Sequence, residues 1–99
     1  MKLVFYEKYG DDLADAIIYY STVKDDLGKR FEHEVKQTLQ KIKDFPKMGS
    51  VHRNNIRRRL VKKFPYTVYY EYIVEDNTIY VLKLWFAIRH PRDLGRYLK

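Results

Sequence analysis

Residues 56–72, Ile-Arg-Arg-Arg-Leu-Val-Lys-Lys-Phe-Pro-Tyr-Thr-Val-Tyr-Tyr-Glu-Tyr, constrain the fold more than any other stretch, because five cations in eight positions run into aromatic, β-branched chain. Such a run favours strands, and a period of two puts Ile56, Arg58 and Leu60 on one side and Arg57, Arg59 and Val61 on the other. At least one pair of arginines is therefore expected on an open face. A sheet with positive charge on an accessible face suits an anionic partner.

The charge is one-sided along the whole chain. Residues 1–50 hold nine Lys/Arg and nine Asp/Glu, whereas residues 51–99 hold eleven and four, so the full net charge of +7 lies in the second half. That asymmetry favours nucleic acid, acidic protein or anionic lipid as partner. At 99 residues, 45% hydrophobic and 16% aromatic, residues 1–99 are expected to form a single domain with an aromatic core, not a disordered basic tail. The chain has no cysteine, which excludes disulfides and zinc–thiolate sites and points to a reducing, cytoplasmic setting. His33 and His52 have no partner at ligand spacing, so no metal and no cofactor are expected. The first apolar run ends at Glu7 and Lys8, too soon for a signal peptide, and no stretch approaches the roughly 18 apolar residues of a membrane span. No membrane partner is expected.

Taken in order, residues 3–6 read as a short first strand followed by a turn at Gly10. Asp11 and Asp12 are N-cap candidates for a helix whose stripe is Leu13, Ala16, Ile17, Tyr20, Val23 or Lys24, and Leu27. After Gly28 a second helix carries Phe31, Val35, Thr38, Leu39 and Ile42 on one face, and Phe45-Pro46 stops it. The short joint predicts an antiparallel helical hairpin. Residues 47–55, with Gly49, Ser50, Asn54 and Asn55, read as a surface loop carrying His52 and Arg53. Strands follow from Ile56, over 66–74 and over 78–86, the last two joined by a Glu75-Asp76-Asn77 turn. In the last strand Tyr80, Leu82, Leu84 and Phe86 suit the helix-covered face, leaving Ile79, Val81, Lys83 and Trp85 opposite, where Trp85 and Lys83 would lie beside the arginines. The element order is β-α-α-β-β-β, an α+β fold.

Three groups of residues carry a family resemblance: Phe31-x3-Val35-x3-Leu39-x2-Ile42-x2-Phe45-Pro46; Ile56-Arg57-Arg58 before Phe64-Pro65-Tyr66-x-Val68-Tyr69-Tyr70; and Ile79-Tyr80-Val81-Leu82 before Arg89-His90-Pro91-Arg92. With the element order, they resemble the RelE/ParE superfamily of toxins from bacterial type II toxin–antitoxin systems, in its ParE-like, plasmid-stabilisation branch, over nearly the whole chain. The resemblance implies a helical hairpin on a small, largely antiparallel twisted sheet. It also implies a cytoplasmic growth inhibitor neutralised by a cognate acidic antitoxin encoded next door. ParE-like members are described as poisoning DNA gyrase, and RelE-like members as ribosome-dependent endoribonucleases that cut mRNA. A decayed, non-toxic member that only binds its antitoxin is the third possibility.

Cleaving RNA by 2′-hydroxyl attack needs a base for that hydroxyl, cations for the phosphorane and an acid for the leaving oxygen. Arg57 and Arg59 fall where the ribonuclease branch carries paired lysines, and arginine clamps a phosphate but hardly removes a proton. Thr67 stands where active ribonucleases place a further arginine. Both departures favour action by binding, on gyrase. A ribonuclease site, if one exists, would combine His90, Arg57, Arg59, Arg89 and Tyr97, His90 being the titratable group of the basic cluster near neutrality. The candidate target-binding residues are Arg57, Arg58, Arg59, Lys62, Lys63, Lys83, Trp85, Arg89 and Arg92. Ile18 and Tyr19 are candidate apolar contacts for the antitoxin, with Arg57 and Arg59 meeting its carboxylates. Glu71 is expected to form a cross-strand ion pair with Arg57 or Arg59.

Overall fold

A computed structural model describes residues 1–87. The elements are β1 (Lys2–Phe5), α1 (Glu7–Val23), α2 (Leu27–Asp44), β2 (Ser50–Arg53), β3 (Ile56–Leu60), β4 (Tyr66–Ile73) and β5 (Thr78–Phe86). The five strands form one sheet in the order β1-β5-β4-β3-β2. Only the β1–β5 pair is parallel; the other three pairs are antiparallel. Both helices cover one face, so the expected α+β architecture forms. The core they seal includes Ala16 of α1, Phe31, Val35 and Ile42 of α2, Val68 and Tyr70 of β4, and Ile79, Val81 and Leu84 of β5. No helix among the described residues is long and apolar enough to cross a membrane.

Four local expectations change. The first is the start of α1, which lies at Glu7 with Tyr6 as N-cap, and neither Asp11 nor Asp12 caps it. Packing decides this start. Tyr9 is 4% exposed and its ring stacks on Phe5 at 5.4 Å, which locks the first turn against the sheet. Gly10 is therefore helical instead of a turn residue, a choice that costs about 1 kcal/mol relative to alanine and is offset by that burial. Asp12, released from capping, pairs with Lys8 and accepts the backbone N–H of Leu84 at 3.1 Å, which ties α1 to β5.

The second change is the hairpin joint, which is residues 24–26, so that Gly28 lies inside α2. A Cβ at Gly28 would stand 2.0 Å from Ser21 Oγ and 2.9 Å from the Ile17 carbonyl oxygen. The two helices touch there backbone to backbone, which only glycine permits. Gly28→Ala is expected to cost about 2 kcal/mol through forced separation of the helices, lowering the melting temperature by about 10 °C. Gly10, where a Cβ would meet nothing within 4 Å, should behave oppositely. Gly10→Ala is expected to gain about 0.5–1 kcal/mol, so thermal melts of the two variants should move in opposite directions.

Third, residues 50–53 are an edge strand, with Ser50 opposite Arg58 and Val51 opposite Arg57. Four residues are too few for alternation to stand out, and the strand is defined by its partner. Fourth, β5 changes face part way along. Tyr69 pairs with Lys83 but Tyr70 pairs with Val81, so Leu82 is an extra residue, a β-bulge. Before it, Ile79 and Val81 point into the core, each 0% exposed; after it, Leu84 does, at 3%. A single period of two through the strand therefore misplaces Ile79, Val81, Tyr80 and Leu82, while Lys83 and Trp85 fall opposite the helices as expected.

The candidate site on the helix-free face of the sheet

The face opposite the helices is organised by register. Ser50, Arg58, Tyr69 and Lys83 are cross-strand neighbours in one row over β2, β3, β4 and β5, and Leu60, Thr67 and Trp85 form the next row. Partners in an antiparallel pair project to the same side. Lys83 Nζ lies 4.8 Å from the Tyr69 ring centroid and 5.1 Å from that of Trp85, within cation–π range of both. The His52 ring meets Tyr69 edge-on, with centroids 5.1 Å apart and planes at 80°. Tyr69, beneath these groups, is buried. A cavity of about 630 Å³ opens beside the row, bordered by Met48, Ser50, Arg58, Arg59, Leu60 and Trp85 among others.

This arrangement concentrates positive charge over an aromatic floor. Partial burial first, then the cations of Arg58, Arg53 and Lys83, holds the His52 imidazole below its ordinary value of 6.5. Arg58 is exposed and makes no ion pair among the described residues. Glu71, opposite Ile56, lies further along the same side of β4.

The arginines of β3 do different jobs. Arg57 and Arg59 are opposite Tyr70 and Val68, on the helix side of the sheet, and both are half-buried. Arg57 Nη1 donates to the carbonyl oxygens of Lys47 at 3.0 Å and Gly49 at 2.9 Å. The Tyr70 hydroxyl donates to the Pro46 carbonyl at 2.8 Å, so the sheet holds the turn after α2 at two points. Burial raises the Tyr70 phenol, opposed by a backbone hydrogen bond at Gly49 and by the charges of Arg57 and Arg59. The expected ion pair of Glu71 with Arg57 or Arg59 does not form, because cross-strand pairing puts Glu71 on the other side of the sheet. Of the three arginines, Arg58 alone is on the helix-free side; the pair that shares a side, Arg57 and Arg59, lies half-buried on the helix side and not on an open face as expected.

The remaining candidates are dispersed. Lys62 and Lys63 are exposed in the β3–β4 connection, where Lys63 has a left-handed backbone (φ 71°) and lies 3.8 Å from Glu34. Ile18 and Tyr19 stand out from α1 at 64% and 59% exposure, with Val23 one turn further on at 58%. Arg89, His90, Arg92 and Tyr97 lie outside the described residues. Two members of the helix-free cluster, His52 and Tyr69, are absent from the residues that sequence reasoning selects. Their signal appears only once residues 50–53 are paired to β3, which carries His52 over Tyr69.

Residues 3–90 match the family model described as "ParE toxin of type II toxin-antitoxin system, parDE". Three solved structures share the fold. A chain of the chromosomal ParDE system from P. aeruginosa superposes with a TM-score of 0.75 at 13% identity, covering 89% of this chain and 97% of that one. A chain of the intact E. coli RelBE toxin–antitoxin complex gives 0.61 at 14% identity, covering 89% and 98%. The isolated E. coli RelE toxin gives 0.61 at 13% identity, covering 98% and 95%. None of the curated proteins matches the chain at a significant level. At these identities the structural likeness speaks to the fold alone, and the family follows from the sequence match across nearly all of the described chain: this protein belongs to the ParE toxin family of type II toxin–antitoxin systems.

Proposed function

We propose that the chain arrests growth by binding DNA gyrase through its helix-free face, with no covalent chemistry of its own. The observation that supports this reading is the chemistry of the β3–β5 row. Its cations are Arg58 and Lys83, a guanidinium and an ammonium suited to holding an anion. Trp85 adds a half-buried aromatic surface beside them, with the buried Tyr69 ring beneath. Arg59, half-buried on the helix side, borders the cavity, and the exposed Lys62 and Lys63 add charge in the β3–β4 connection, Lys63 beside Glu34. Arg89 and Arg92 add to the charge of the same half of the sequence.

The antitoxin, in this proposal, is the acidic product of a neighbouring gene whose toxin-binding segment folds on contact. Its apolar anchors cover Ile18, Tyr19 and Val23, an exposed stripe on α1 that no other described element covers. Arg59 is the better carboxylate partner of the two helix-side arginines, since the Arg57 guanidinium is already engaged by two carbonyls.

One preparation tests the reading in two assays, gyrase supercoiling and cleavage of ribosome-bound mRNA. Supercoiling is expected to fall with toxin concentration while message stays intact. Discrete cuts in message with supercoiling untouched would overturn the gyrase reading in favour of a RelE-like mRNA interferase using His90, Tyr97 and the arginines. Normal colony formation on induction would leave only an antitoxin-binding role.

A further inference from the structure

His52 lies on an edge strand, over the ring of Tyr69, and nothing in the growth-arrest reading uses it. Its surroundings are unusual for a surface histidine. Arg58 and Lys83 flank Tyr69 in register on either side, two strand spacings or about 10 Å apart. The long side chains of Arg58 and Lys83 can reach across that span to a tetrahedral oxyanion beside the Tyr69 ring, where the Lys83 ammonium and the His52 imidazole already stand. Three donors arranged around one ring suit the several directions in which a tetrahedral anion presents its oxygens. A carboxylate, with two oxygens in one plane, serves them less fully.

We propose that His52 is a proton-linked contact of the helix-free face: as a phosphate-type oxyanion settles between Arg58 and Lys83, the imidazole takes up a proton from solvent and binds it, so that binding tightens below neutral pH. The inference rests on the reading that this face is the contact surface. The charged and titratable groups around His52 are Arg53 on its own strand, Arg58 on β3, Tyr69 and Glu71 on β4, and Lys83 on β5. Partial burial first, and then three of these groups, which are cations, disfavour the protonated imidazole in the free protein. An anion among them removes the repulsion and restores the proton. The sign for stability follows. With its folded value below the unfolded one of about 6.5, His52 contributes stability above that pH, lost as acidification carries the group through its folded value. Bound oxyanion opposes the loss.

The test is an NMR titration of the His52 ring proton with and without sulfate, a tetrahedral dianion whose charge is constant between pH 5.5 and 8, at matched ionic strength. His52→Gln identifies the signal. Sulfate is expected to raise the midpoint by about 0.5 unit or more, which by linkage makes binding about threefold tighter once the ring is protonated. In His52→Gln, sulfate affinity read from the backbone amides of residues 58 and 83 is expected to lose its pH dependence. If those amides respond to sulfate and the wild-type His52 midpoint stays put, the His52 inference is overturned and the contact surface stands. If neither responds, the contact surface itself is refuted. A glutamate-rich peptide that moves the midpoint where sulfate does not would replace the phosphate-type ligand with a carboxylate one, and overturn the proposal.

Discussion

Replacing Arg58 and Lys83 together by alanine is expected to weaken target binding by about a hundredfold and to restore colony formation on induction, at nearly unchanged thermal stability. The magnitude follows from two charge-assisted contacts of about 1.4 kcal/mol each, every one a factor of ten in affinity. The fold should tolerate the change, because Arg58 is exposed without an ion pair among the described residues. Lys83 contributes cation–π contacts to Tyr69 and Trp85, about 0.5–1 kcal/mol at a partly exposed site. Arg57→Ala provides the contrast. It removes both hydrogen bonds to the Lys47 and Gly49 carbonyls, so it is expected to lower the melting temperature while leaving more activity than the double variant. Plating on induction, supercoiling titrations and melts of the three proteins check this. Full toxicity in a well-folded Arg58/Lys83 double variant would remove the helix-free face from consideration.

Phe31→Ala is expected to produce the largest loss of stability, about 3–5 kcal/mol, the range for removing a buried aromatic ring from a packed core. Phe31 is 0% exposed, and its ring lies 5.1 Å from Tyr20, 5.1 Å from Phe64 and 5.0 Å from Tyr66. It thus joins α1, α2, the β3–β4 connection and the start of β4 in one aromatic cluster, so its removal opens a cavity that four segments must share. For a domain this size the loss corresponds to about 15–30 °C in melting temperature, a large part of an ordinary folding free energy. Ile18→Ala, at an exposed position on α1, is expected to shift the melt by only a few degrees, about 0.5 kcal/mol, while weakening antitoxin binding. A Phe31→Ala protein melting within a few degrees of the parent would show that the cluster is not the centre of the core.

Much of this protein was decided by the sequence alone. The apolar stripes of both helices, the Phe45-Pro46 stop and the aromatic, β-branched strands specify the α+β class, since each buries one face by a local period that neighbours in sequence can express. The family is legible for the same reason: its motifs are largely apolar positions at helical and strand spacing, together with the β3 arginines. The concentration of cations in the second half is equally plain.

The site was not legible in that way, because it is built across strands. Which arginine faces outward depends on pairing: Arg58 shares a side with Tyr69, and Arg57 with Tyr70. The side on which each half of β5 lies depends on one bulge at Leu82, which no local period announces. Residues 50–53 become a strand because β3 offers them an edge, and only then does His52 reach Tyr69. Helix starts followed burial too, with Tyr9 overriding the aspartate caps. Local periodicity records which residues are to be buried. Register, bulges and edge pairing come from hydrogen bonds between segments distant in the chain, and they alone determine which cations share a face.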